Sequence, residues 1–140
     1  MNQIYQTIVL EHVKNPQNKG LKGFTNLRLY NPSCGDDLTV EIDINNSILR
    51  ECNFEGIGCS LCCSSASIMT TIVKGKMISE VKRLINDFSN LLKGETVANI
   101  DDLEDAKVYI NVRNFPARLN CVSAAWKILE ELVENEEKRL

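Results

Sequence analysis

The chain predicts an α+β fold, a small antiparallel three-stranded sheet with helices packed on one of its faces. Three observations carry this prediction. Residues Leu38-Thr39-Val40-Glu41-Ile42-Asp43-Ile44 alternate apolar and polar, the period of a half-buried strand. Val81, Leu84, Ile85, Phe88 and Leu92 recur at helical spacing. Segments with helix, strand and helix signals follow in blocks, the order of an α+β fold. The 140 residues suit one domain, spanning 1–140, with room for a core that needs no disulfides.

Each element has its own signal. Ile4, Ile8 and Val13, with Val9 and Leu10 nearby, predict a first helix that Asn15-Pro16 should end. A loop rich in Asn, Lys and Gly follows. Strands are expected around Leu27–Tyr30, over Leu38–Ile44 and over Ile48–Phe54, the last two joined by a tight turn at Asn45-Asn46. Ala66, Met69 and Val73 mark one face of a helix ending at Gly75. The Val81–Leu92 helix is stopped by Lys93-Gly94. Residues 95–112 give only a short acidic helical turn near Asp101–Ala106, ahead of the Val108–Val112 run. Pro116 suits the first position of a last helix, which buries Ala125, Trp126, Leu129, Leu132 and Val133.

Composition narrows the function. A net charge of −3 argues against nucleic acid and favours protein partners, and the dense charge from Glu130 to Arg139 reads as a solvated helix end. No apolar run approaches a membrane span, and Met1–Gln6 lacks the start of a signal peptide, so a cytoplasmic protein is expected. Six cysteines in a reducing compartment point to metal or thiol chemistry rather than to a disulfide framework. Phosphate loops, H-E-x-x-H and paired-carboxylate motifs are absent, which disfavours a conventional hydrolase or oxidoreductase.

Cys34, Cys59 and Cys121 stand in three distant and different settings, with Asp36 two residues beyond the first. Zinc in a structural site takes four ligands in a tetrahedron, so three thiolates and Asp36 would complete one, and Gly35 lets the backbone bend around the ion. The same cysteines could instead nucleate an iron–sulfur cluster, and cysteine also serves as a small buried hydrophobe. That last role fits Cys52, inside a strand. Cys59-Ser60-Leu61-Cys62 is a C-x-x-C at the start of a helix, where the dipole favours thiolate. His12, the one histidine, reads as a packing or surface residue.

Several of these segments together resemble the iron–sulfur cluster assembly proteins related to IscU and the N-terminal domain of NifU, and the SufU branch most closely. The matching stretches run from Glu11-His12-Val13-Lys14-Asn15-Pro16 to Gly20, through Asn31-Pro32-Ser33-Cys34-Gly35-Asp36 and Gly58-Cys59, to Ser64-Ser65-Ala66-Ser67-Ile68-Met69-Thr70. They end with Arg113-Asn114-Phe115-Pro116-Ala117-Arg118-Leu119-Asn120-Cys121 and Ala125-Trp126. A long interval between Cys59 and Cys121, and Asn120 where IscU carries a histidine ligand, favour the SufU branch.

The resemblance implies zinc held by Cys34, Asp36, Cys59 and Cys121, with Cys34 as the acceptor of persulfide sulfur and Arg118 supporting it. The implied partner is a SufS-like cysteine desulfurase, followed by other cluster-assembly proteins and apo-protein acceptors. The alternative is an IscU-like scaffold that builds a labile [2Fe–2S] cluster on Cys34, Cys59 and Cys121. Positions 62 and 63 depart from the family's small or hydroxyl-bearing residues, since both are cysteine here.

Overall fold

Alternation along the middle strand decides which face of the sheet is covered. The structure is a computed structural model that describes residues 3–32 and 35–139. Strands β1 (Thr25–Tyr30), β2 (Asp37–Asn45) and β3 (Ile48–Ile57) form an antiparallel sheet in the order β1-β2-β3. The register pairs Leu27 with Val40, Val40 with Phe54 and Ile42 with Cys52, so these apolar side chains share one face. A register shift between Asp43 and Ile44 passes over Arg50 and pairs Ile44 with Leu49. This bulge turns Leu49 into the core and leaves Arg50 exposed.

Asn46 and Ser47 take φ of 54° and 62°, so the two-residue hairpin loop lies one position later than the expected Asn45-Asn46. Asn45 instead belongs to β2 and pairs with Ile48. The outer edge of β3 is covered by the segment after the first helix. There the Phe54 N–H donates to the Asn18 carbonyl at 3.0 Å, and the Gly20 N–H to the Phe54 carbonyl at 2.8 Å.

The opposite face of the sheet holds a buried carboxylate. Glu41 accepts hydrogen bonds from Asn53 Nδ2 and from the backbone N–H groups of Lys22, Gly23 and Phe24, at 2.7 to 3.1 Å. Burial pushes its carboxyl upward, but the bonds from Asn53 and the three N–H groups outweigh it, and the group lies below its ordinary range.

Four helices complete the fold: α1 (Gln3–Lys14), α2 (Ser60–Val73), α3 (Ile78–Lys93) and α4 (Pro116–Lys138). Helix α2 is central, touching α1, α4 and β3, while α4 lies over β1 and β2. Helix α3 buries Val81, Leu84, Ile85, Phe88 and Leu92 and ends with Gly94 in the left-handed conformation. Phe88 stacks on Trp126 of α4 at 4.2 Å between centroids and meets Tyr109 edge-on at 6.3 Å.

Two regions differ from expectation. Helix α1 forms, yet it buries only Val9 completely, and Ile4 is 71% exposed. Residues Ile100–Tyr109 form a 3₁₀ segment kinked at Glu104, which buries Leu103, Ala106, Val108 and Tyr109. Among the described residues, no helix is long and apolar enough to cross a membrane.

Candidate metal centre

Three elements converge where the sheet meets the ends of two helices. Asp36 immediately precedes β2, Cys59 is the N-cap of α2 just beyond β3, and Cys121 lies in the second turn of α4. One donor atom from each lies within 4.8 Å of the other two. Asp36 and Cys121 are buried and Cys59 is exposed, so the cluster opens to solvent on the Cys59 side. Cys34 lies outside the described residues.

Local backbone chemistry fixes the trio. The loop before β2 is pinned by two bonds: the Asn31 N–H to the Asp36 carbonyl and the Gly35 N–H to the Asn31 carbonyl, each 2.8 Å. Gly35 adopts φ of +78°, a turn open to glycine at little cost. Asp36 Oδ1 accepts the Cys59 N–H at 3.1 Å, which holds the carboxylate over the entry to α2. Gly58 makes this approach possible. A Cβ there would lie 2.8 Å from Asp36 Oδ1 and 3.2 Å from Cys62 Cβ.

The α2–α4 junction supplies the other constraint. Ser65 Oγ donates to the Val122 carbonyl at 2.6 Å and accepts Trp126 Nε1–H at 3.2 Å. Ser65 is buried and ties α2 to α4 one residue beyond Cys121, so it sets the distance between Cys59 and Cys121. In the sequence, Ser65 stands out only as part of a matching stretch. The usable signal was a run of hydroxyl residues inside an otherwise apolar helix.

The electrostatics suit a cation. Burial pushes the Cys121 thiol well above its ordinary range, and hydrogen bonding to Asp36 and Cys59, with their charges, adds to the effect. A positive ion among these donors would reverse that balance and make the thiolate favourable. Two thiols and one carboxylate form a mixed soft and hard set suited to zinc, whose tetrahedral ligand atoms lie about 3–4 Å apart. Calcium and magnesium would require oxygen ligands throughout. The residues present therefore fit the metal expected from the sequence.

The other singled-out residues are placed elsewhere. Cys52 is buried in the sheet and its thiol is pushed up to about 12 by burial, so it behaves as an apolar filler. Cys63 donates to the Gly58 carbonyl at 3.8 Å and lines a separate cavity with His12, Lys19, Phe54 and Ile57. Burial, above all, raises its thiol. Neither Cys62 nor Cys63 joins the convergent trio. Arg118 sits one turn before Cys121, its guanidinium over the Phe115 ring at 5.1 Å. His12 is a packing residue, its Nδ1 2.7 Å from Ser67 Oγ.

A small α+β domain that gathers two thiols and a carboxylate from three elements at a solvent-open point has the donor set of a thiol-based metal site. More specifically, the chain belongs to the NifU-like N-terminal domain family, whose model matches residues 4–122. It is 36% identical to the zinc-dependent sulfurtransferase SufU of Bacillus subtilis over 98% of this chain and 94% of that protein. It is 31% identical to the iron–sulfur cluster assembly scaffold protein IscU of Streptococcus pyogenes, over 96% of this chain and 85% of that one. Its fold matches a crystal structure of a hypothetical protein with a TM-score of 0.88 and 31% identity, covering 96% of this chain and 99% of the other.

Proposed function

We propose that this protein is a zinc-dependent sulfur acceptor of iron–sulfur cluster assembly, working with a cysteine desulfurase rather than as a stand-alone enzyme. The observation that carries the reading is the convergence of Asp36, Cys59 and Cys121 within 4.8 Å. Cys34 is the proposed fourth ligand and the acceptor nucleophile. Bound zinc would hold these thiols as thiolates near neutral pH and damp their reactivity.

The transfer itself conserves electrons. The Cys34 thiolate attacks the outer sulfur of the desulfurase persulfide, that sulfur–sulfur bond breaks, and the donor cysteine leaves as thiolate. A persulfide then stands on Cys34. Asp36 keeps one wall of the site oxygen-based and weaker as a ligand than thiolate, which favours exchange. Arg118, exposed beside Cys121, is proposed to support the anionic persulfide as it approaches. The open side at Cys59 is where a partner would reach the site.

The test is sulfide release from free cysteine by a cysteine desulfurase, with this protein added in zinc-loaded and zinc-stripped forms. Stimulation by the zinc-loaded form alone, lost in Cys34→Ala and Cys121→Ala, is the expected result. Unchanged stimulation by Cys34→Ala would overturn the assignment of Cys34. The named likeness to an IscU scaffold supports a second reading, assembly of a labile [2Fe–2S] cluster for transfer to apo-proteins. Visible absorbance after anaerobic loading with iron and sulfide, with no effect on the desulfurase, would favour that reading.

A further inference from the structure

Helix α2 starts without the usual side-chain cap. Cys59 is its N-cap, with φ of −68° and ψ of 166°, and makes no capping hydrogen bond. The direction of its thiol therefore depends on what holds the two peptide units that meet at its Cα. The unit before it, Gly58–Cys59, is gripped at both poles. The Cys59 N–H donates to Asp36 Oδ1 at 3.1 Å, and the Gly58 carbonyl accepts the Cys63 thiol at 3.8 Å. The unit after it is held by its carbonyl, which accepts the Cys63 N–H at 3.1 Å. One residue thus bonds both carbonyls that flank the Cys59 Cα, one through sulfur and one through nitrogen.

The N–H bond is the first of the helix ladder, and any residue except proline would make it at position 63. The thiol bond belongs to the side chain. Sulfur, with its long bond to Cβ and large radius, spans the 3.8 Å gap. A hydroxyl needs its acceptor within about 3.0 Å, so serine in the same rotamer falls short.

We propose that Cys63 is a positioning residue for the metal centre, whose thiol holds the Gly58 carbonyl and so aims the Cys59 thiol at Asp36 and Cys121. This rests on the reading of that trio as a metal centre. Cys63 acts through Cys59 and is no ligand, since its sulfur lies outside the convergent trio. Asp36 and Cys121 are buried, so packing confines them, whereas Cys59 is exposed and depends on hydrogen bonds for its placement. Without the thiol bond, the Gly58–Cys59 peptide keeps only its bond to Asp36 and can rotate about it. The Cys59 sulfur then meets the metal from a wider spread of positions, and the open side of the site loosens without losing a donor.

The test compares the parent full chain with Cys63→Ala and Cys63→Ser, each loaded with cobalt(II) in place of zinc. Cobalt(II) reports twice. The intensity of its sulfur charge-transfer absorption counts bound thiolates, and its visible ligand-field bands respond to their arrangement. The expected result in both variants is the parent's thiolate count with shifted or broadened ligand-field bands. Zinc affinity in a chelator competition should fall roughly 2–5-fold, the size of one weak hydrogen bond. The metal-free variants should unfold at the parent's urea midpoint, which separates positioning from a general loss of fold. If the alanine variant folds poorly, Cys63→Ser, which keeps a small polar side chain at this half-buried position, carries the same comparison. Parent-like bands and affinity in the variants overturn this proposal alone, and a lost thiolate overturns it by making Cys63 a ligand. A parent chain that binds neither cobalt nor zinc overturns the metal-centre reading, and this proposal with it.

Discussion

The two halves of α2 are built from similar small side chains and do opposite work. From Ser64 onward, four hydroxyls reach out to different neighbours, and Thr71 bonds back within the helix. Ser64 bonds Tyr109, Ser65 bonds Val122 and Trp126, Ser67 bonds His12 and Gln17, and Thr70 bonds Asn18. Among the described residues, no buried side-chain nitrogen or oxygen lacks a partner. At the start of the helix, Cys59, Cys62 and Cys63 bring thiols instead. Sulfur is a weak hydrogen-bonding group and a strong nucleophile and metal ligand, so the exposed Cys59 at that end brings chemistry rather than a structural tie. Helix α2 thus joins a stability hub to a reactive end, and the two should be separable by mutation.

The largest effect is expected from removing the exposed thiol. Cys59→Ala should abolish zinc retention after dialysis and with it the stimulation of a desulfurase, while the metal-free protein keeps the parent's denaturant midpoint. A metal-free midpoint that falls with Cys59→Ala would show the reactive end to be structural too. Gly58→Ala should come next. Its methyl carbon would press on Asp36 Oδ1, displacing a ligand without removing one, and zinc affinity should drop by roughly 10–100-fold in a chelator competition. Equal affinity in Gly58→Ala would mean that Asp36 takes no part in holding the metal.

Ser65→Ala tests the other half. It removes the bond to the Val122 carbonyl and strands the Trp126 indole N–H in the core, a cost of about 1–3 kcal/mol in urea unfolding. Metal-site chemistry at 25 °C should persist, since enough folded protein remains. A second buried polar group provides a pH readout. Because Glu41 lies below its ordinary range when folded, its contribution is complete above the unfolded value of about 4.3. That contribution is lost as pH falls through the folded value. Glu41→Gln should flatten this acid limb of stability, and an unchanged limb would show that other carboxylates dominate it.

The sequence was legible where one period ran unbroken. Helix α3 announced itself through five core positions and Gly94, and β2 through Leu38, Val40 and Ile42, because burial on one face imposes the pattern directly. Helix α1 misled in detail, since its apolar residues are spread around the helix and only Val9 is fully covered. Glu41 reads as the polar half of an alternating strand, yet it is buried, because the nest of N–H groups at residues 22–24 is brought to it by tertiary folding. Residues 95–112 lacked a period because short 3₁₀ turns place buried side chains at irregular intervals. For the candidate site, residue types and flanking motifs pointed to Asp36, Cys59 and Cys121, while Ser65 and Gly58, which position them, carry no chemical label of their own.

The smallest effect sits at the far end of the hydroxyl hub. Glu104 adopts φ of 48° with ψ of −127°, a combination costly for any residue with a Cβ, between the buried Leu103 and Ala106 that hold it there. Strain of this kind costs about 1–3 kcal/mol. Glycine relieves it but adds unfolded-state freedom worth about 0.5–1 kcal/mol. Glu104→Gly should therefore stabilise the protein by about 1 kcal/mol, seen as a raised urea midpoint at unchanged slope, and Glu104→Ala should not. The strained segment carries Tyr109, which bonds Ser64 at the boundary between the two halves of α2. If Glu104→Gly raises stability while zinc affinity stays constant, the hub and the reactive end are energetically independent. A shift in both would mean that strain in the 3₁₀ segment reaches the thiols through Tyr109.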